Sequence, residues 1–330
     1  MKDIFGWCVI GCGKLAGIVA EQILASGRHK IVSVYGRNAE RCAAFADKYG
    51  AAAAKTAAEA MEMPGVEGVY VVTTHTSHYE YAQMALERSL PVLCEKPLTV
   101  NARDARELAA LARKNHTYFA EAMWTWFAPA ANGVKQWLDE GAFGEITRVR
   151  LDCRVDGRGY APRVTDPAAA GGALLDMGVY ALTYLYRLFG KPEKIACKGI
   201  LADGIDLEED VTFFYADGTR LDTGIAIADP KGAEVLQIEG TKASMSFSNF
   251  HYAEQAELIR DDGTKEVRGG SGDYLNEFDR VVEEIREGLT ESRYEPIQVT
   301  LDVMEIMDEC RRQMGLLYPF ETAQTLARTE

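Results

Sequence analysis

Gly6-Trp7-Cys8-Val9-Ile10-Gly11-Cys12-Gly13-Lys14-Leu15-Ala16 decides the fold. A run of strand character feeds straight into a GxGxxA turn, and the spacing of apolar residues beyond it predicts a helix over 14–26. Strand, glycine turn and helix in that order make a cradle for a dinucleotide pyrophosphate. Gly11 permits the tight turn, Gly13 lets a phosphate approach the backbone, and the small Ala16 lets the helix pack close to the strand. The helix N-terminus then offers unpaired N–H groups and a partial positive charge. Gly11, Cys12, Gly13, Lys14 and Leu15 are therefore the first expected cofactor contacts.

Working outward, the first third of the chain alternates strand and helix. Strands are expected at 5–10, 30–35, 68–73, 91–94 and 117–121, and helices at 14–26, 38–49, 77–88 and 101–114. The alanine-rich stretch 51–60 reads as a weak strand or loop followed by a short helix. Apolar runs such as Val69-Tyr70-Val71-Val72 are nearly continuous, as in parallel strands covered on both faces. This βα rhythm implies an α/β fold opening with a doubly wound Rossmann sheet.

The rhythm changes after residue 122. A helix is expected over 127–141, a long strand over 146–155 and a helix over 172–189. The stretch 193–260 is strand-rich, divided by turn signals at Ala216-Asp217-Gly218, Asp229-Pro230-Lys231-Gly232 and Glu239-Gly240-Thr241. Amphipathic helices are expected over 273–287 and 301–314. The expected organisation is a dinucleotide-binding domain at 1–122 and an α+β domain at 123–330. The second domain is expected to be built on an open, mainly antiparallel sheet and to be the site of substrate binding and oligomerisation. An open sheet with helices on one face needs a cover for the other, which makes a homodimer or homotetramer through that sheet the expected assembly.

The chain has 330 residues, 47% hydrophobic and 26% charged, enough for two cores. Its net charge of −14 argues against sequence-independent nucleic-acid binding, which needs clustered cations. No apolar stretch reads as a signal peptide or approaches a membrane span, so a cytoplasmic protein without membrane contact is expected. Seven cysteines without a CxxC pair fit free thiols in a reducing compartment. Neither they nor the five histidines are spaced as metal ligands, and no metal is expected.

The cofactor and its chemistry are read from four further segments. Where an acidic residue would select the ribose 2′-hydroxyl of NAD, the chain has Tyr35-Gly36-Arg37-Asn38. Arg37 can pair with a 2′-phosphate, so NADP is the expected cofactor, with NAD as the alternative. Thr73-Thr74-His75-Thr76-Ser77-His78 follows a strand on the ligand-binding edge, so Thr73, Thr74, His75 and His78 are expected beside the cofactor. A histidine such as His78 in a helix's first turn is more often structural than catalytic. Glu95-Lys96-Pro97 ends another strand. Lysine shifts its pKa readily when desolvated and so can move a proton near neutrality, and the Lys96–Pro97 bond is a candidate for the cis form. Finally, Gly171-Gly172-Ala173-Leu174-Leu175-Asp176-Met177-Gly178-Val179-Tyr180 sets a carboxylate and a phenol four residues apart on one helix face. Together they can hold a substrate hydroxyl.

These residues resemble the glucose-fructose oxidoreductase, inositol dehydrogenase and rhizopine-catabolism family (Gfo/Idh/MocA). The resemblance rests on GCGKLA at 11–16, TTHTSH at 73–78, EKP at 95–97 and GGALLDMGVY at 171–180, in order and at the right spacing. Glu121-Ala122-Met123-Trp124-Thr125 further resembles the branch with dimeric dihydrodiol dehydrogenases and NADP-dependent D-xylose dehydrogenases. The resemblance implies that Lys96 is the proton donor or acceptor, that Glu95 belongs to the cofactor side, and that Asp176 and Tyr180 stand on the substrate side. Tyr180 replaces the histidine of many relatives, as in that branch. Trp126 stands where relatives of the branch commonly carry arginine, and an aromatic face there could stack on a sugar. Trp124 and Arg163 are the remaining expected substrate contacts.

The expected protein is thus an NADP-preferring oxidoreductase acting on a CH–OH carbon of a small-molecule sugar, polyol or diol. Lys96, Tyr180 and Asp176 form its catalytic set. The alternatives are an enzyme of dihydrodiols or dicarbonyls, to which Trp124 and Trp126 would offer an aromatic pocket, and a cofactor-binding regulator without turnover. Intact Lys96, Asp176 and Tyr180 weigh against the regulator.

Overall fold

The computed structural model describes residues 4–252, 254–270, 272–322 and 326. The chain divides into two compact units. The first comprises residues 1–99, 103–124 and 273–297; the second comprises 100–102, 125–272 and 298–330.

The first unit opens with β1 (Phe5–Ile10), α1 (Lys14–Ala25), β2 (His29–Tyr35), α2 (Ala39–Tyr49), β3 (Ala52–Ala53) and α3 (Ala57–Met61). It continues with β4 (Gly68–Val71), α4 (His75–Glu87), β5 (Val92–Glu95), α5 (Ala102–Lys114) and β6 (Phe119–Ala122). The strands pair in parallel in the order β3-β2-β1-β4-β5-β6, the doubly wound sheet expected from the βα rhythm. β1, β4, β5 and β6 are buried along their whole length, which is why their sequences carry no polar alternation. α4 starts at His75 rather than 77, so His75 and His78 share its first turn.

The helix Tyr274–Arg286 also belongs to the first unit, although the sequence reading assigned it to the second. Its apolar stripe explains the placement. Phe278 packs its ring 5.0 Å from both Trp7 and Tyr70, and Val281 and Val282 join the same core. Asp279 receives hydrogen bonds from Arg28 at 2.9 and 2.5 Å and lies 3.0 Å from His29 Nε2. The helix therefore covers the β1–β4 part of the sheet.

The second unit has α6 (Pro129–Asp139), β7 (Ile146–Arg154), α7 (Val179–Phe189), and strands β8 (Lys194–Ala202) and β9 (Ile205–Phe214). Then come β10 (Arg220–Ala226), β11 (Glu234–Gly240), β12 (Ala243–Ser248), β13 (Gln255–Arg260) and β14 (Lys265–Gly269). In chain order Tyr274–Arg286 is α8, and α9 (Ile297–Met314) follows, starting four residues before the expected 301. The eight strands are ordered β14-β13-β12-β11-β7-β10-β9-β8, antiparallel except for the β7–β10 pair. Buried and exposed residues alternate along β12, the signature of a sheet covered on one face. Arg154 of β7 reaches across β10 to donate to Glu208 and Asp210 of β9 at 2.8 and 2.9 Å.

The segment Pro167–Phe189 corrects one expectation. At 23 residues, with an 18-residue stretch of mean hydropathy 1.2, it is long and apolar enough to cross a membrane, yet 83% of that stretch is buried inside the protein. α7 is the core helix of the second unit, apolar because it lies on β7 and β10.

Candidate active site

In the first unit the expected cofactor residues gather at the C-terminal ends of three adjacent strands. β1 runs into the Gly11–Lys14 loop, β4 into Thr73–His78 and β5 into Lys96–Pro97. Gly11 adopts φ +118°, and a Cβ there would lie 2.4 Å from the Val72 carbonyl oxygen, so no other residue fits the crossing of these two loops. At Gly13 a Cβ would meet nothing within 4 Å. Gly13 is the N-cap of α1, no side chain caps that helix, and its first turn holds no acidic residue. An open space before an uncapped, positively polarised helix end fits a dinucleotide pyrophosphate. Arg37 is exposed at the end of the β2 segment, where a 2′-phosphate contact requires it.

The β4 and β5 loops are tied together. His78 is fully buried, with Nδ1 2.9 Å from the Pro97 carbonyl oxygen and Nε2 3.3 Å from that of Thr73. Its ring lies edge-on to His75, centroids 5.9 Å apart. His78 thus holds the corner carrying Lys96 against the β4 loop, a structural duty for a residue expected beside the cofactor. The Lys96–Pro97 peptide is cis, as the sequence suggested.

Behind Lys96, the Glu95 carboxylate turns inward, accepting from Tyr70 Oη at 2.6 Å and from the Lys96 backbone N–H at 3.3 Å. Burial and then Glu95 hold the Tyr70 phenol well above its usual range. Glu121 accepts from the Leu98 backbone N–H at 2.8 Å. Glu277 of α8 is fully buried with neither carboxyl oxygen hydrogen-bonded. Burial, then Glu95, Glu121 and Glu295, push its carboxyl well above the ordinary range. Glu277 lies on the 273–287 helix, which was expected in the other domain, so this carboxyl cluster was not legible.

In the second unit three of the expected substrate residues, Arg163, Asp176 and Tyr180, gather at or just after one turn. Gly172 has φ +126°, and a Cβ there would lie 2.0 Å from Asp206 Oδ1. Asp206, fully buried on β9, accepts from the Leu174 backbone N–H at 2.5 Å. That contact anchors a π-helical turn, Leu174–Gly178, which carries Asp176 and leads into α7 with Tyr180. Arg163 Nη1 donates to Asp176 Oδ1 at 2.9 Å, so the two expected substrate residues form an ion pair.

His251, singled out by nothing in its sequence context, packs its ring perpendicular to Tyr180, centroids 4.1 Å apart. Its Nδ1 lies 2.5 Å from Glu234 Oε1. With Cys153 these donors all fall within 4.8 Å of one another, a set able to take a metal ion. Three different elements supply them, which is why sequence spacing gave no sign of it.

Trp126 departs from expectation. It is fully buried, its ring 5.2 Å from that of Tyr184 and under the Arg187 guanidinium at 4.8 Å. Arg187 of α7 covers one face of the ring, and Trp126 is packing rather than a platform for a sugar. Trp124 is also buried, against Tyr274 at 4.7 Å.

The comparisons with known proteins agree with this geometry. The oxidoreductase family with an NAD-binding Rossmann fold (GFO_IDH_MocA) matches residues 5–122, and its C-terminal domain matches residues 132–246. The chain is 31% identical to trans-1,2-dihydrobenzene-1,2-diol dehydrogenase of Mus musculus, covering 95% of this chain and 98% of that one. Against the Homo sapiens protein of that name the identity is 28%, with the same coverage. The 3-ketoreductase KijD10 of Actinomadura kijaniata shares the fold, with TM-score 0.85 at 19% identity over 94% of this chain and 98% of that one. So does an aldose-aldose oxidoreductase of Caulobacter crescentus, with TM-score 0.83 at 17% identity over the same shares. The nucleotide loop, the cis Lys-Pro corner and the Gly-Gly turn bearing Asp176 and Tyr180 are thus those of a chain that belongs to the Gfo/Idh/MocA oxidoreductase family.

Proposed function

We propose that this oxidoreductase prefers NADP and oxidises or reduces one carbon of a vicinal diol in a sugar, polyol or cyclic diol. The single observation that carries this reading is the convergence of the Gly11–Lys14, Thr73–His78 and Lys96–Pro97 loops at one edge of the parallel sheet. Such an edge binds dinucleotides in open α/β sheets. A bound nicotinamide supplies the hydride donor or acceptor. Gly11, Cys12, Gly13, Lys14 and Leu15 hold the pyrophosphate, and Arg37 takes the 2′-phosphate. Thr73, Thr74 and His75 line the cofactor side, while His78 and Glu95 fix the corner on which Lys96 stands. Lys96 gives or takes the hydroxyl proton, Tyr180 assists, and Asp176 orients the substrate, itself held by Arg163.

Two observations bear on the substrate. The relatives named for a trans-1,2-diol are 27–31% identical over nearly the whole chain, which favours adjacent hydroxyls on a ring. The Arg163–Asp176 pair offers a donor and an acceptor side by side, as two neighbouring hydroxyls require. A screen at 340 nm with NADP and NAD, against aldoses, polyols and cyclic trans-diols, tests the proposal. NADP-linked turnover of a sugar, polyol or cyclic diol with adjacent hydroxyls, or of its ketone, supports it. Tight NADPH binding without turnover on any of them would instead make the chain a cofactor-responsive regulator. Assembly as a homodimer or homotetramer through the exposed side of the eight-stranded sheet, in the cytoplasm, completes the reading. Sedimentation velocity checks the assembly.

A further inference from the structure

Two thiols far apart in sequence meet at the nucleotide loop. Cys12 lies between Gly11 and Gly13, and Cys42 lies in the first turn of α2. Their sulfurs are 2.7 Å apart. Both rest over Gly36, where a Cβ would stand 2.7 Å from Cys12 Sγ and 3.0 Å from Cys42 Sγ. The glycine beside Arg37 thus makes room for the sulfur pair. Cys42 is buried and also donates to the Gly36 carbonyl oxygen at 3.5 Å, whereas Cys12 is partly exposed. Neither the hydride chemistry nor the proton transfer uses these thiols.

We propose that Cys12 and Cys42 form a reversible disulfide on exposure to a hydroperoxide, and that this link weakens dinucleotide binding. Cys12, the accessible member, attacks the peroxide oxygen. An S–O bond forms, the O–O bond breaks, and the thiol proton leaves with the departing alkoxide as an alcohol. Cys42 then attacks the Cys12 sulfur. The S–S bond forms, the S–O bond breaks, and hydroxide departs with the Cys42 proton as water. The thiols lose two electrons, and the hydroperoxide gains them. Burial, and then the neighbouring Cys12, push the Cys42 thiol up to about 12, so Cys42 is not the thiol that meets the peroxide first.

The functional consequence follows from position. Cys12 stands in the loop proposed to hold the pyrophosphate, and the link would pull that loop onto α2. By linkage, a bound dinucleotide must in turn hinder the oxidation by the same free energy. The proposal concerns these thiols and does not depend on which substrate the enzyme takes.

The test uses the full chain, reduced, desalted and treated with hydrogen peroxide, with and without NADPH or NADH. Alkylation and non-reducing peptide mass spectrometry read the link, and fluorescence titration reads dinucleotide affinity. The expected result is a peptide joining Cys12 to Cys42 and a dinucleotide Kd raised about tenfold. Dithiothreitol should reverse both, and saturating dinucleotide should slow the link. The Cys42→Ser chain should bind dinucleotide normally before treatment, form no link, and keep most of its affinity afterwards. Absence of the joined peptide overturns the proposal. So does a link that leaves the Kd unchanged, or an equal loss of affinity in Cys42→Ser. The peptide measurement without dinucleotide stands even if the cofactor assignment fails.

Discussion

The two units build their sites from different materials. In the first, the nucleotide loop works through backbone: a crossing only Gly11 allows, an open space at Gly13, and a helix end without a capping side chain. In the second, the site is a set of side chains: Asp206 anchoring the turn, Arg163 pairing with Asp176, and His251 with Glu234 against Tyr180. A backbone site binds what every dinucleotide shares, its phosphates. A side-chain site selects the shape and hydrogen-bonding pattern of one class of substrate. On the proposed reading, the first unit supplies the dinucleotide site and the second selects the substrate.

The largest effect should come from removing the proposed proton donor or acceptor, Lys96. Lys96→Met should lower kcat by about 10²–10⁴-fold. NADPH affinity should stay near normal, because the backbone loop remains, and stopped-flow and fluorescence titration separate the two. Near-normal turnover would remove Lys96 from the chemistry. Next, Arg37→Ser should raise the KM for NADPH by roughly 10- to 100-fold, the value of one charge-assisted contact, with little change for NADH. Equal effects on both cofactors would sink the NADP preference.

A third variant addresses the second unit. His251→Phe keeps a ring against Tyr180 but leaves Glu234 without its 2.5 Å partner. It should cost about 1–3 kcal/mol of stability by urea denaturation and lower kcat/KM for substrate, with the dinucleotide Kd unchanged. A changed dinucleotide Kd would break the division of labour argued above.

The smallest effect concerns pH. Burial holds the Glu277 carboxyl well above the ordinary carboxylate range near 4.5, so the folded chain keeps a proton that the unfolded chain releases first. The stability tied to it is fully present below about pH 4.5 and is lost as pH rises toward the folded value. Glu277→Gln removes this loss and places an amide donor among carboxylates. It should be more stable than the native sequence at pH 8 by about 1 kcal/mol, with the gap closing at pH 5. Parallel denaturation curves at the two pH values check the sign.

Much of the first unit was legible from local pattern. GxGxxA between strand and helix, buried parallel runs without alternation, and a Lys-Pro at a strand end are short-range signals, and each element formed within a few residues of where it was expected. The π-turn and the pairing of Arg163 with Asp176 were only half legible. Both residues were named, but their contact depends on a turn set by Asp206, some thirty residues away on another strand. Trp126 misled because its neighbour in space, Arg187, lies on a helix sixty residues later and takes the face a sugar would need.

The sequence by itself determined the dinucleotide fold, the family and the position of Lys96, because those depend on residue types in unbroken local order. Only the tertiary structure decided that α8 returns to cover the first sheet, that Glu277 is buried among carboxyls, that His251 backs Tyr180, and that Cys12 meets Cys42. Each of these joins distant parts of the chain. Apolar burial drives such joining without leaving a spacing rule in the sequence, since the hydrophobic effect carries no direction.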